Sequence, residues 1–352
     1  MGFAVAEDQE FTLPPLEERP LVTFALFAYN QEKYIREAVE GAFAQTYEPL
    51  EIILSDDCST DRTFEIMEEM AAKYEGPHKI ILNRNTQNLG ICPHVTKIHE
   101  RCSGEYIVHA AGDDYSYPNR TEILIAAFTS CGHCPSIVSS NSMYMDENSS
   151  PIGYVNNPST PTTFEKNLNP LNRTLPLNGH TLALHRALVD CFDQPSYKII
   201  AEDSIFTFRA HLMNGVLYLN KTLLNYRISD KGAWSSMQMK SKSTNKILEN
   251  QLTWSKDYLK RLAQFSVDLN CIEKPVNQKN DIIKSIEAFK IKSAKSIEII
   301  ESKFIAGLLL LFNILVTQEQ DSKYKLHILK LFILKWLPIL HKIKITARAS
   351  KS

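Results

Sequence analysis

The 352-residue chain has no excess of either charge, no internal repeat and no disulfide-type cysteine pattern. With 39 basic and 40 acidic residues, its net charge of -1 excludes a protein that binds nucleic acid through its overall field. Seven irregularly spaced cysteines predict a reduced, cytoplasmic setting. Residues 1–20 lack the basic and apolar segments of a secretory signal. What is present, 44% hydrophobic and 22% charged residues, is an ordinary globular composition, and the length suggests one main domain with an appendage.

Strand-like and helical patterns alternate through the first part of the chain. Four short apolar runs are predicted as buried strands: Leu21–Ala28, Leu50–Leu54, Lys79–Leu82 and Tyr106–Ala110. Segments with helical spacing lie between them, which is typical of an α/β fold whose mostly parallel sheet has helices on both faces. Farther along, Thr181–Phe192 and Glu202–Leu212 are predicted helices, and after residue 241 the pattern is helical without strand signals.

Polar residues follow three of these strands, at Tyr29–Glu32, Ser55–Asp61 and Gly112–Asp114. In a parallel sheet such clusters meet in the crevice beyond the carboxyl ends of the strands, where ligands bind. Asp113 and Asp114 repel each other and attract a hard cation such as Mg²⁺ or Mn²⁺, which is usually shared with substrate phosphates. A solvated turn is the alternative interpretation of the same pair.

The Ser55–Asp61 segment has both a structural and a chemical interpretation. Thr60 or Asp61 is predicted to cap the helix that follows. Asp56 and Asp57 stand at the end of an apolar strand, where a carboxylate can accept a hydrogen bond from the N3–H of a uracil or thymine ring.

The acids Glu202 and Asp203 also allow two interpretations. They lie in the first turn of a predicted helix, where the helix dipole favours negative charge. Alternatively, they supply a general base that takes a proton from an acceptor hydroxyl.

Taken in order, these motifs resemble those of family 2 glycosyltransferases. The segments that carry the resemblance, within residues 20–230, are Phe27-Ala28-Tyr29-Asn30, Glu51–Thr63, Asn88-Leu89-Gly90, Asp113-Asp114 and Glu202-Asp203. The resemblance implies a GT-A, Rossmann-like nucleotide-diphospho-sugar transferase fold with a C-terminal helical extension. It also implies an inverting enzyme with Mn²⁺ or Mg²⁺ as cofactor. Such an enzyme moves a sugar from a UDP- or dTDP-sugar to a hydroxyl of a glycan or lipid-linked acceptor, in surface polysaccharide synthesis.

The resemblance assigns roles to individual residues. Asp203 is the expected catalytic base with Glu202 beside it, and Asp114 is the expected metal ligand. Within the donor site, Asp57 is expected to face the base and Asp113 the ribose or sugar, while Arg227 or Asp230 is a candidate to bind the diphosphate or the metal. The full set of expected donor-binding residues is Ala28, Tyr29, Asn30, Glu32, Asp57, Asn88, Asp113 and Arg227.

The sequence departs from the family pattern in three places. Phe27-Ala28 replaces the usual Pro-Thr, and Cys58 replaces the glycine of a tight turn. Some relatives complete the metal site with a histidine after the last strand, whereas Tyr226–Asp230 contains none, so Arg227 or Asp230 is the candidate there. The histidines that precede the presumed acceptor region, His180 and His185, are predicted to be structural or exposed.

Two other classes of protein remain open. A nucleotidyltransferase shares the fold type and the need for a cation, but it usually has a glycine-rich basic loop after the first strand, and Ala28–Glu32 contains no glycine. A non-catalytic sugar-binding or scaffold protein is disfavoured by intact acids at all three clusters. No nucleic acid is expected as a partner, and an oligomer is compatible with the sequence.

The C-terminal part differs from the rest in charge, with eight Lys or Arg residues against one acid from residue 321 onward. Phe304–Val316 is apolar but shorter than the roughly 20 residues that span a bilayer. Lys325–Ile345 mixes basic and apolar residues, which suits a helix lying on an anionic membrane; a helical cap or a subunit contact is the alternative. The predicted organisation is an N-terminal tail (1–20), a catalytic domain (21–235) and a helical region (241–352). The predicted location is cytoplasmic and peripheral on the inner face of the plasma membrane.

Overall fold

The computed structural model describes residues 3–6, 10–131, 135–154, 177–195, 198–229, 244–273, 276–301, 324–333 and 335–336. These residues divide into two compact units. The first contains the described residues up to Ser229 together with 264–273, and the second contains 244–263 and the described residues from 276 onward. The predicted boundary between residues 235 and 241 lies outside the described residues, so it remains a prediction.

The described strands of the first unit form one mixed sheet. In chain order they are β1 Phe3–Ala6, β2 Val22–Ala28, β3 Leu50–Asp56, β4 Lys79–Arg84, β5 Tyr106–Ala111, β6 Tyr115–Ser116, β7 Ile137–Met145, β8 Pro151–Tyr154, β9 Leu182–His185 and β10 Val216–Arg227. The main path runs β1-β10-β7-β9-β5-β2-β3-β4, with β6 paired to β10 and β8 paired to β7. Strands β2 to β5 form the parallel core that the four apolar runs predict. β3 is buried along its whole length, as expected of a central parallel strand.

Helices connect these strands and carry their apolar faces into the core. In the first unit they are α1 Ile35–Phe43, α2 Thr63–Ala71, α3 Ile91–His99, α4 Arg120–Ser130, α5 Ala187–Asp190 and α6 Glu202–Leu212. In α1, Ile35, Val39 and Ala42 recur at helical spacing and are fully buried. Because α1 begins only at Ile35, residues 29–34 form turns that keep the polar cluster after β2 outside the helix.

Two segments differ from the sequence prediction. The helix predicted over Thr181–Phe192 is wrong, since this segment forms β9, which pairs antiparallel with both β5 and β7, followed by the short α5. The first three residues of β9 are fully buried, and a short apolar run of this kind cannot be assigned by periodicity alone. Within the predicted N-terminal tail, Phe3–Ala6 is a strand that pairs in parallel with β10.

The second unit is helical. It contains the first part of α7 (Thr244–Asn270), α8 (Val276–Glu301) and the helical residues 324–333. Its core includes Ile299, Tyr324, Ile328 and Leu331, so one face of the basic segment packs within its own unit. The predicted membrane contact and the alternative, a cap on the catalytic domain or on a second subunit, remain predictions. Phe304–Val316 lies outside the described residues. Within the ranges that are described, no helix is both long enough and apolar enough to cross a membrane.

Candidate active site

Backbone hydrogen bonds bring the three polar clusters together at one end of the sheet. The carbonyl of Ala28 accepts from the N–H of Asp57 (2.9 Å), and the carbonyl of Phe27 accepts from the N–H of Gly112 (2.8 Å). A Cβ at Gly112 would lie 2.7 Å from the Cβ of Ala28, so this close approach requires glycine. The residues that follow β2, β3 and β5 therefore line one site, as their positions at parallel strand ends predict.

Side chains also join the first two clusters. The Asn30 N–H donates to Oγ of Ser59 (2.8 Å), and Oδ1 of Asn30 accepts from the N–H of Thr60 (2.8 Å). Oε2 of Glu32 accepts from the N–H of Arg62 (3.0 Å), the residue before α2. Asn30 and Glu32 thus hold two loops together, and their predicted contacts with a donor remain predictions.

The Ser55–Asp61 segment contacts the start of α2 and contains a tight turn. Oδ1 of Asp61 accepts from the N–H of Thr63 (3.0 Å), the first residue of α2. The N-cap itself is Arg62, whose side chain makes no capping hydrogen bond, so Asp61 contacts the start of the helix from one position before the cap. Cys58 has a φ of 63°, in the left-handed region that favours glycine. The departure from the family's glycine therefore falls at a strained backbone position.

Asp57 is buried and holds the loop that follows β4. It is 3% exposed, and its carboxylate accepts hydrogen bonds from Nδ2 of Asn85 (2.8 Å) and from the N–H groups of Leu89 (3.0 Å) and Gly90 (2.9 Å). The exposed Asn88 lies on the same loop. The Leu89 N–H also lies 3.1 Å from Oδ2, so protein groups make four contacts with Asp57, about as many hydrogen bonds as a carboxylate accepts. The predicted contact of Asp57 with a nucleotide base remains a prediction.

Asp113 and Asp114 follow β5 in surroundings that disfavour negative charge. Asp114 is 5% exposed; its Oδ1 accepts from the N–H of Arg227 (2.9 Å), whereas its Oδ2 has no hydrogen-bond partner among the described residues. Burial raises the pKa of Asp114 well above its usual value, and the charge of Asp113 raises it further. Burial likewise raises the pKa of Asp113. A bound divalent cation would favour the ionised form of both carboxylates.

Arg227 anchors this acidic loop. Its Nε donates to the carbonyl of Asp113 (2.9 Å), its Nη1 to the carbonyl of Asp146 (3.0 Å) and its Nη2 to Oε2 of Glu37 (2.5 Å). These bonds make Arg227 a positioning residue, and its contact with a diphosphate remains a prediction. The alternative candidate, Asp230, lies outside the described residues.

Arg120 is a buried cation that the sequence patterns did not single out. Its Nη2 donates to the carbonyls of His109 and His180, both at 2.7 Å, and its Nη1 to Oγ of Ser116 (2.8 Å). Burial lowers the pKa of Arg120 to about 9, against the opposing effect of Asp114. The guanidinium therefore stays charged at neutral pH and offsets part of the charge of the acidic pair. The sequence feature that could have identified Arg120 is its position as the first residue of the largely apolar helix α4.

His180 lies inside the site, although it was predicted to be structural or exposed. Its Nδ1 is 3.9 Å from Oδ2 of Asp114, and its ring stacks on Tyr226 with 4.3 Å between the ring centres. Burial, with a smaller contribution from Arg120, lowers the pKa of His180 to about 3, so the imidazole is neutral at pH 7. No spacing rule pairs this histidine with Asp114, because the two residues come from distant parts of the chain.

Glu202 and Asp203 begin α6 beside the same segment. A Cβ on Gly179 would lie 2.5 Å from Oε1 of Glu202 and 4.0 Å from Cβ of Asp203. Since Gly179 directly precedes His180, both Glu202 and Asp114 lie near residues 179–180. The roles of Glu202 and Asp203 in catalysis remain predictions.

The chemistry of the acidic pair fits a divalent cation. Oδ2 of Asp114, which is buried and has no partner among the residues that the structure describes, and the adjacent Asp113 supply oxygen ligands of the kind that Mg²⁺ and Mn²⁺ prefer. Across the described part of the chain, no group of three or more His, Cys, Asp or Glu residues is arranged to hold a metal ion. A cation here would need substrate oxygens to complete its shell, which is usual for ions that bind phosphates.

The segment that contains most of these site residues matches a protein-family model. Residues 23–192 match the model described as Glycosyl transferase family 2. Residues 23–192, just under half of the chain, therefore belong to glycosyl transferase family 2. The family 2 match contains the polar clusters after β2, β3 and β5 and also His180, whereas Glu202, Asp203 and Arg227 lie beyond its end.

Curated proteins that are similar to this chain include two named as glycosyltransferases. The putative glycosyltransferase EpsE of Bacillus subtilis is 36% identical over 107 residues, which cover 30% of this chain and 38% of EpsE. An uncharacterized glycosyltransferase of Rickettsia typhi is 28% identical over 256 residues, which cover 70% of this chain and 73% of that protein. The chain thus spans only about two fifths of the length of EpsE.

Two solved structures share the fold over most of the chain. Residues 1–349 of TarS from S. aureus, in complex with UDP-GlcNAc, give a TM-score of 0.51 at 19% identity and cover 83% of this chain and 80% of that one. The mannosyltransferase PcManGT from Pyrobaculum calidifontis, in complex with GDP-Man and Mn²⁺, gives 0.50 at 14% identity and covers 95% and 91%. At these identities the likeness shows the fold alone, and it confirms the predicted GT-A fold with C-terminal helices.

Proposed function

We propose that this family 2 chain is a metal-dependent, inverting glycosyltransferase. It moves one sugar from a UDP- or dTDP-sugar to a hydroxyl of a glycan or lipid-linked acceptor, in the synthesis of a surface polysaccharide. The observation that carries the proposal is the buried, unpartnered Oδ2 of Asp114 beside Asp113, with Glu202 and Asp203 next to residues 179–180. Direct displacement needs both parts, charge neutralisation at the leaving diphosphate and a base at the acceptor.

The donor is proposed to lie over the ends of β2, β3 and β5. Tyr29, which is 44% exposed, offers an aromatic ring beside the nucleotide, and the Asp57 carboxylate is proposed to accept a hydrogen bond from the N3–H of the base. A divalent cation at Asp113 and Asp114 neutralises the diphosphate when bound. Asp203 takes the proton of the acceptor hydroxyl, whose oxygen attacks the anomeric carbon as the bond to the diphosphate breaks. The names of two neighbours support this assignment, since TarS was solved with UDP-GlcNAc and PcManGT with GDP-Man and Mn²⁺.

The test begins with the donor and then measures turnover. Thermal stabilisation by UDP- and dTDP-sugars with Mn²⁺ identifies the donor, because ligand binding raises apparent stability by mass action. Transfer or donor hydrolysis is then measured with and without EDTA for the wild type, Asp114→Ala and Asp203→Asn. Asp190→Asn, an exposed acid on α5, is the matched control. We expect EDTA and both site variants to abolish most turnover, and an inverted anomer by NMR. Full activity in both site variants contradicts the mechanism.

The proposal includes peripheral contact of the second unit with an anionic membrane. Leu326, Lys330 and Ile333 recur at helical spacing and are exposed, with Leu326 66% and Ile333 44% accessible, whereas Ile328 and Leu331 are buried. The double variant Leu326→Glu and Ile333→Glu alters only the exposed face. We expect it to reduce flotation with phosphatidylglycerol vesicles, while neutral vesicles bind neither protein. Equal flotation of variant and wild type contradicts membrane contact, and a change in mass by light scattering instead indicates a subunit contact.

A further inference from the structure

His180 and Asp114 each have a buried polar atom without a hydrogen-bond partner in the described part of the chain. Nδ1 of His180 and Oδ2 of Asp114 are 3.9 Å apart, too far for a hydrogen bond, and their side chains are only 10% and 3% exposed. Neither Oδ2 of Asp114 nor Nε2 of His180 has a hydrogen-bond partner within the described residues. Because buried polar atoms are rarely left unsatisfied, a further group is expected at Oδ2 of Asp114, the atom that faces Nδ1 of His180.

We propose that His180, through Nδ1, is a ligand of the divalent cation that Asp114 binds through Oδ2. This inference rests on the proposed function, which supplies the cation. Imidazole nitrogens and carboxylate oxygens lie about 2.1 Å from such ions, so two ligand atoms of one ion are at most about 4.2 Å apart. The observed 3.9 Å lies within that limit. Adjacent ligands of an octahedral ion are about 3 Å apart, and a small side-chain rotation supplies the difference.

The backbone and ring of His180 are held in place before any ion binds. Its carbonyl accepts from Nη2 of Arg120 (2.7 Å), and its ring lies against Tyr226 at an interplanar angle of 10°. The next residue, Thr181, is fixed by a hydrogen bond between its Oγ1 and Oγ of Ser139 (2.8 Å). A ligand that is oriented in advance loses little conformational freedom when it binds a metal.

This assignment supplies the histidine ligand that Tyr226–Asp230, at the end of β10 and after it, does not contain. Arg227 is a permanent cation without acceptor atoms, so its side chain cannot bind a metal. His180 enters the site from the segment before β9 instead. A nitrogen ligand also suits Mn²⁺ better than Mg²⁺, because Mg²⁺ is a hard ion that proteins bind through oxygen.

Pulsed EPR of Mn²⁺ bound to the full chain in the presence of UDP tests the inference directly. A coordinated imidazole produces ¹⁴N modulation, which we expect in the wild type and not in His180→Gln. His185→Gln is the matched control and keeps the modulation, because Nε2 of His185 faces Oε1 of Glu105 at 3.9 Å. We also expect His180→Gln to weaken Mn²⁺ affinity by about tenfold or more and to reduce the preference for Mn²⁺ over Mg²⁺.

The outcomes separate this inference from the proposed function. Mn²⁺ binding without nitrogen modulation in the wild type, or equal Mn²⁺ affinity in His180→Gln, overturns the ligand assignment and leaves the glycosyltransferase proposal standing. Failure of the wild type to bind Mn²⁺ with or without UDP overturns both. Circular dichroism checks the fold of each variant. If His180→Gln does not fold, His180→Asn replaces it, and nitrogen modulation that persists in His180→Asn also overturns the assignment.

Discussion

Two buried acids, which follow the two strands on either side of β2, differ in how their carboxylate oxygens are hydrogen-bonded. Asp57, after β3, accepts hydrogen bonds from three protein groups within 3.0 Å. Asp114, after β5, leaves one oxygen without a partner in the described chain. They are 3% and 5% exposed, so burial does not distinguish them. The two acids differ in their hydrogen bonds. We infer from this difference that Asp57 stabilises the surrounding loops, whereas Asp114 is available to the proposed ligand.

The largest expected effect is on turnover in Asp114→Asn. The amide keeps an oxygen for the N–H of Arg227 but removes the negative charge, so we expect turnover to fall about a hundredfold or more. The free energy of unfolding at pH 7 is expected to stay equal or to rise, because a buried charge has been removed. Steady-state kinetics and urea unfolding measure the two effects. Retained activity together with a large loss of stability would reverse the comparison with Asp57.

The next largest effect is on stability in Asp57→Ala. Removal of this carboxylate leaves two backbone N–H groups and the Asn85 amide without their acceptor, so we expect a loss of about 2–4 kcal/mol in the free energy of unfolding. The midpoint of urea unfolding measures it. Asp190→Ala, at an exposed position, is the control and should change stability by no more than about 0.5 kcal/mol. A loss in Asp57→Ala as small as in this control contradicts the organising role.

The pH dependence of stability sharpens the contrast at Asp114. Its pKa is raised in the folded protein, so the folded state holds the proton more tightly than the unfolded chain, whose aspartates titrate near about pH 3.9. As pH rises from that value through the folded-state pKa, the free energy of unfolding falls. The stability advantage of Asp114→Asn over the wild type, measured by urea unfolding in EDTA, should therefore grow from pH 4 to pH 7. An advantage that is constant with pH contradicts this account.

The smallest effect is expected at Cys58, in the turn next to Asp57. Glycine relieves the left-handed backbone strain but loses more conformational entropy on folding. Cys58→Ala removes the thiol and keeps the strain, so it is the matched reference. We expect Cys58→Gly to be more stable than Cys58→Ala by about 0.5–1 kcal/mol in thermal or urea unfolding. Equal stability of the two variants would show that the turn relaxes around a side chain.

Local sequence patterns were sufficient to predict the central strands and the polar clusters at their ends. β2 and β3 are apolar runs bounded by polar residues, so pattern and position identify both the strands and the clusters that follow them. Local sequence patterns do not show which side chains from distant segments contact each other. Arg120 and His180 reach Asp114 from separate segments, and only the assembled sheet defines their contacts. β9 was misassigned for a related reason, since its role depends on the gap between β5 and β7.

The buried arginines beside the acidic pair have a consequence for the order in which ligands bind. Arg120 and Arg227 already offset the charge of Asp113 and Asp114 in the protein alone. For the proposed enzyme, a cation would therefore be attracted only weakly until a diphosphate adds negative charge of its own. Metal and donor would then be thermodynamically linked, and each would raise the affinity of the other by the same factor. Saturation with metal would follow the supply of nucleotide sugar rather than the concentration of the free ion.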